Sequence, residues 1–206
     1  MKQAETLLQL EYSVSSVPAP GEEESGDQYL VSAIPAGTLI AVVDGSGHGP
    51  EAALAARLAI ATLDSHLREG VIPLVRRCHE RLKGTRGVVM SLVSIDGFEN
   101  TITWLGVGNI EGILVRTSAS VDPHVETIFL RPGVVGYRLP PLQAVITPIS
   151  PGDLLILTTD GIRGDFARHF SAEHSPEKIA DYISSNFRKG NDDGLVLVAR
   201  YLGSNE

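Results

Sequence analysis

The chain has 206 residues, 43% of them hydrophobic, with 25 acidic against 17 basic side chains and a net charge of −8, which suits a single domain over residues 1–206 with a sizeable core. A sequence pI near 5.2 provides no basic face to displace counterions from phosphates, which excludes general nucleic-acid affinity. No apolar run is long enough to cross a bilayer, Met1-Lys2-Gln3-Ala4-Glu5 lacks the order of a secretion signal, and the single Cys78 allows no internal disulfide; together these predict a cytoplasmic protein without a membrane partner.

Leu8, Leu10, Tyr12 and Val14 alternate with polar residues, the period of a strand with one buried face. Residues 29–34 and 39–43 read as two further strands. The Ala- and Leu-rich segment from Pro50 to Arg68 has Pro at a first helical position and stops before Gly70, which predicts a helix; residues 72–83 predict a second, with Cys78 inside it. Strand patterns then follow at 88–95, 101–105, 110–116, 125–130, 143–149 and 154–157. Asp96-Gly97 is an ordinary hairpin turn, and Trp104, alternating with Ile102, is a core residue. A third helix is predicted at 176–188, with Ser175 as N-cap, a stripe of Ile179, Ile183 and Phe187, and Gly190 beyond its end. A last strand covers 195–201. Consecutive strands without intervening helices argue against an all-parallel doubly wound sheet; antiparallel sheets covered by a few helices, an α+β fold, fit better.

The informative acidic residues sit at the ends of apolar strands. Asp44 and Asp160 follow two of them, whereas Asp27 and the pair Asp192-Asp193 precede two others. If the first two strands run antiparallel to the last two, the carboxylates converge on one edge of the core. Two carboxylates about 4 Å apart repel by roughly 4 kcal/mol at an effective dielectric of 20, so such a group needs a cation or must take up protons. Hard oxygen ligands without a Cys/His cluster favour Mg²⁺ or Mn²⁺. A single aspartate at a strand end is more often a turn former. Asp96 stays in that class, and Asp153, at the opposite end of its strand from Asp160, belongs to the other edge.

Asp44-Gly45-Ser46-Gly47-His48-Gly49-Pro50 joins a strand to a helix but matches neither a P-loop nor a dinucleotide fingerprint, and Ala55 stands where an EF-hand needs its glutamate. Four ordered blocks, residues 20–27, 44–49, 151–161 and 192–198, carry a resemblance to the metal-dependent protein phosphatases of the PPM (type 2C) superfamily, in their SpoIIE-like bacterial branch. The resemblance spans residues 8 to 201. It implies a PPM-type sandwich of two mainly antiparallel β-sheets flanked by α-helices. It also implies hydrolysis of phosphoserine or phosphothreonine by a water shared between two or more Mn²⁺ or Mg²⁺ ions.

Carried over residue by residue, the resemblance makes Asp44 the carboxylate bridging two metals, with Gly45 giving its carbonyl and Asp27 completing the same metal's ligands. Asp160 and Asp192 would hold the other, Asp192 being preferred over the adjacent Asp193. Asp44 and Asp160 are the residues expected to carry catalysis. Eukaryotic members place a histidine two residues after the bridging aspartate, where this chain has Ser46. His48 either donates a proton or orients the loop, and orientation is preferred. A phosphate-gripping arginine is expected by analogy; Arg163 is the nearest in sequence, although a solvated loop cation is its simpler reading. Cys78 cannot serve a cysteine phosphatase, because Gly84 occupies the position of the required arginine. Glu22, Glu23 and Glu24 read as a solvated charge run rather than ligands. A free-standing domain of this size is similar to phosphatases that reset the stressosome, which implies phosphorylated STAS-domain proteins as partners. The alternative is an inactive pseudophosphatase that binds phosphoproteins.

Overall fold

The computed structural model describes residues 5–7, 10–118 and 124–203. In chain order these form β1 (Glu5–Leu7), β2 (Leu10–Val17), β3 (Asp27–Ile34), β4 (Gly37–Gly45), α1 (Pro50–Asp64), α2 (Val71–Leu82), β5 (Val88–Asp96), β6 (Thr101–Val107), β7 (Glu111–Val115), β8 (Val125–Thr127), β9 (Leu130–Arg131), β10 (Val145–Pro148), β11 (Leu154–Thr158), a 3₁₀ turn (Gly164–Arg168), α3 (Pro176–Phe187) and β12 (Gly194–Tyr201). One sheet has the order β1-β2-β12-β11-β7-β8 and the other β10-β6-β5-β4-β3, with β9 added to β6. Every pairing is antiparallel except β6 with β9.

Alternation along the central strands decides the layering, because successive side chains point to opposite faces. On β4, Ile40 and Val42 join the core between the sheets, while Leu39, Ala41 and Val43 face a second core built with α1 and α2. On β12, Leu195, Leu197 and Tyr201 enter the inter-sheet core, and Val196 and Val198 pack on α3. Both strands are buried on two faces, which is why their sequences read as continuous apolar runs. Ala52, Ala55, Ala56 and Ala59 are fully buried, so α1 lies close on its sheet through small side chains. Ser175 caps α3 by accepting the Lys178 amide, and Ile179, Ile183 and Phe187 are buried as the stripe predicts.

Several boundaries differ from the sequence expectations. Leu8 lies outside the described residues; Leu10, Tyr12 and Val14 are in β2. The first helix ends at Asp64 rather than Arg68. Its last turns carry Thr62 and Ser65, whose hydroxyls bond back to the Leu58 and Ala61 carbonyls, while His66 Nδ1 meets the Thr62 carbonyl; such side chains compete with continued helix. The 125–130 run is divided into β8 and β9, paired to different sheets.

At one end of the sandwich, Arg116 bridges the sheets. It donates to Asp153 at 3.0 Å, to the Pro148 carbonyl at 2.6 Å and through Nε to Glu126 at 3.0 Å. Asp153 thus serves the end opposite Asp160, as its position predicts. Among the described residues no helix is long and apolar enough to cross a membrane.

Candidate metal centre

The antiparallel register of β3 and β4 sets Asp27 directly opposite Asp44. In the other sheet, β11 and β12 are antiparallel with Thr158 opposite Val196, so Asp160 and the Asp192-Asp193 pair leave their strands at a common end. The turn before β12 therefore meets the loop before β3. A cavity of about 240 Å³ opens there, lined by Asp44, Ser46, Gly47, His48, Val89, Asn109, Asp160 and Asp192. Asp27 and Gly45 are outside that lining; Asp27 is only 3% exposed and lies beside Asp44.

Asp192 and Asp193 are separated in role by one step of the chain. Asp193 turns inward, 5% exposed, and accepts the amides of Ala19 at 2.8 Å and Gly26 at 2.9 Å. It fastens the segment leading into β3. Asp192 lines the cavity and accepts the Asp193 amide at 2.9 Å.

Gly45 is held by the Gly26 carbonyl at 3.1 Å, and a Cβ on it would stand 2.1 Å from the Ala52 carbonyl oxygen. Only glycine permits that approach of strand end to helix. The Ser46 amide donates to the Gly87 carbonyl, and Gly47 takes φ 89°, a left-handed conformation, with the Arg86 guanidinium next to it. Arg86 Nε donates to Glu51 at 2.6 Å. His48 Nδ1 lies 3.2 Å from Glu22 Oε1, and Glu24 pairs with Arg57. The glutamate run is thus tied to α1 and its loop.

Electrostatics match the expectation of crowded carboxylates. Burial, followed by the charges of Asp27, Asp160, Asp192 and Asp193, pushes the Asp44 carboxyl up to about 9. Burial also raises Asp27, to about 7, against the lowering effect of a hydrogen bond from Thr159. Among the described residues no three His, Cys, Asp or Glu side chains are gathered tightly enough to hold an ion as they stand. The donor set is nonetheless all oxygen and partly buried, which fits a hard divalent cation and not a soft one.

The hydrogen bonds that polar groups make about these carboxylates are not given by strand ends alone. Asn109, in the turn between β6 and β7, donates to Asp160 at 2.8 Å. Thr159 reaches Asp27, and Asp193 holds Gly26. Asp193 stands out in the sequence as half of a strand-end pair and Thr159 as a polar residue closing an apolar run, whereas Asn109 carries no such signal. Arg163 pairs with Asp165, donates to the Asn186 carbonyl and stacks on Phe187, outside the cavity lining. Cys78 is buried, with its thiol pushed up to about 12 by burial, which leaves it inert.

A family model described as Stage II sporulation protein E (SpoIIE) matches residues 35–202. The chain belongs to the SpoIIE family. It is 25% identical over 204 residues to the phosphoserine phosphatase RsbX of Bacillus subtilis (strain 168), covering 97% of this chain and 99% of the relative. A solved chain from work on the bacterial stressosome as a modular system controlling secondary messenger signalling is 31% identical, with a TM-score of 0.83 over 93% of this chain and 99% of that one. The crystal structure of RsbX with magnesium superposes with a TM-score of 0.87 at 22% identity, covering 98% of this chain and 100% of that one. The PstP catalytic domain with two manganese ions gives 0.69 at 18%, over 94% and 99%. The fold is the PPM phosphatase sandwich.

Proposed function

We propose that residues 1–206 form one PPM-type domain that acts as a Mn²⁺- or Mg²⁺-dependent protein serine/threonine phosphatase. The observation that carries this reading is the meeting of Asp44 of one sheet with Asp160 and Asp192 of the other around a single cavity mouth, with Asp27 buried opposite Asp44. Asp44, the Gly45 carbonyl and Asp27 would hold one ion, and Asp44, Asp160 and Asp192 the other. Held by these residues, divalent ions would supply Lewis acidity, making water more acidic and neutralising charge on phosphoryl oxygens. The chain's own part is positional. Asn109 orients Asp160, the Gly45–Ala52 approach fixes the strand-to-helix loop, and Glu22 orients His48 at the cavity rim.

The proposed substrates are phosphorylated STAS-domain proteins of a stressosome. The likeness to RsbX along nearly the whole chain, and to a chain from stressosome work at 31% identity, supports this choice. Incubating the protein with a phosphoserine-bearing STAS-domain protein, with Mn²⁺ or with EDTA, tests it. Phosphate release only with the metal is expected; turnover of an aryl phosphate but not of the STAS protein would overturn the substrate assignment.

A further inference from the structure

Thr159 follows β11 in one sheet, yet its hydroxyl oxygen lies 2.7 Å from Asp27 Oδ2 at the start of β3 in the other. The same oxygen accepts the Leu195 amide at 2.9 Å. A backbone N–H can only donate, so that contact fills an acceptor site of the hydroxyl and leaves its proton for Asp27. Thr159 is 1% exposed and Asp27 3%, so no water substitutes freely for this bond. It engages Oδ2, one of the two oxygens of the Asp27 carboxylate.

We propose that Thr159 is a positioning residue of the metal centre, which acts through Asp27 by fixing its carboxylate between the two sheets with one oxygen turned to the cation. The inference rests on the metal-site reading above. It explains why a hydroxyl is kept in a fully buried position next to an expected ligand: without it, Asp27 has an unpaired buried oxygen and a freer rotamer.

The test pairs Thr159→Val, which keeps the shape and removes the hydroxyl, with Thr159→Ser, which keeps the hydroxyl. Mn²⁺ binding is measured by titration calorimetry on the metal-stripped chain, and folding by circular dichroism in EDTA. Thr159→Val is expected to weaken Mn²⁺ binding by about tenfold or more, with Thr159→Ser within about threefold of wild type. In an Asp27→Asn background, Thr159→Val should cause no further loss, because its effect passes through that carboxylate. That double variant also removes the buried charge, so it keeps the test open where Thr159→Val alone fails to fold. Wild-type affinity in Thr159→Val, or an equal added loss in the Asp27→Asn background, would overturn the proposal. Failure of the wild type itself to bind Mn²⁺ would instead overturn the metal-site reading.

Discussion

Replacing Asp44 by Asn removes one crowded charge while nearly preserving the side chain's shape, so it separates the electrostatics of the centre from its packing. In the metal-free protein, burial and then four neighbouring aspartates push the Asp44 carboxyl from 3.8 to about 9. The unfolded chain releases that proton near pH 4, whereas the native state keeps it until about pH 9. Between these limits the native state binds more protons, so stability is greatest at the acid end and falls as pH rises. One proton corresponds to about 1.4 kcal/mol per pH unit, which makes the loss through Asp44 on the order of 4 kcal/mol from pH 5 to pH 8. For a chain of this size that lowers Tm by roughly 10 °C.

Thermal unfolding at pH 5, 6, 7 and 8 in EDTA should show this decline in the wild type. Asp44→Asn should flatten it, keeping only the shallower slope from Asp27, whose carboxyl is raised to about 7. At pH 8 the variant should be the more stable protein in EDTA and should gain nothing from Mn²⁺, while the wild type gains. Parallel pH profiles for the two proteins would refute the claim that Asp44 is forced to hold a proton. An equal gain from Mn²⁺ would remove it from the ligand set.

Asp192→Asn should weaken Mn²⁺ binding without lowering stability in EDTA. Asp193→Ala should instead cost about 3 kcal/mol or more in urea unfolding, because it strips the acceptor from two buried amides. Gly45→Ala puts a Cβ 2.1 Å from the Ala52 carbonyl oxygen and should destabilise by about 3 kcal/mol, read as a lowered Tm. Arg116→Met leaves the buried Asp153 without its counter-charge and should cost about 3 to 5 kcal/mol in the same assay. Since Arg116 serves the opposite end of the sandwich, Mn²⁺ affinity should not change.

The strands were legible because β4, β11 and β12 are apolar on both faces and bounded by polar or glycine residues, so they announce themselves in the chain. Asp44 and Asp160 stand out in the chain because each ends such a run, Asp192 because it shortly precedes one, and Asp27 only because it opens the mixed strand β3. What connects them was not legible. The contacts Thr159–Asp27, Asp193–Gly26 and Asn109–Asp160 span 132, 167 and 51 residues, and no local pattern encodes a partner that far away. The end of α1 falls short of the sequence expectation because helical composition continues to Arg68, while the competing bonds of Thr62, Ser65 and His66 depend on side-chain geometry.

A hydrolytic metal centre built from these aspartates makes phosphate release depend on both the metal and Asp44. Phosphate release from a phosphoserine-bearing protein should be measured for wild type and Asp44→Asn, each with Mn²⁺ and with EDTA. Turnover is expected only for the wild type with Mn²⁺. Binding of the phosphoprotein without turnover by Mn²⁺-loaded wild type, or full activity in Asp44→Asn, would contradict it.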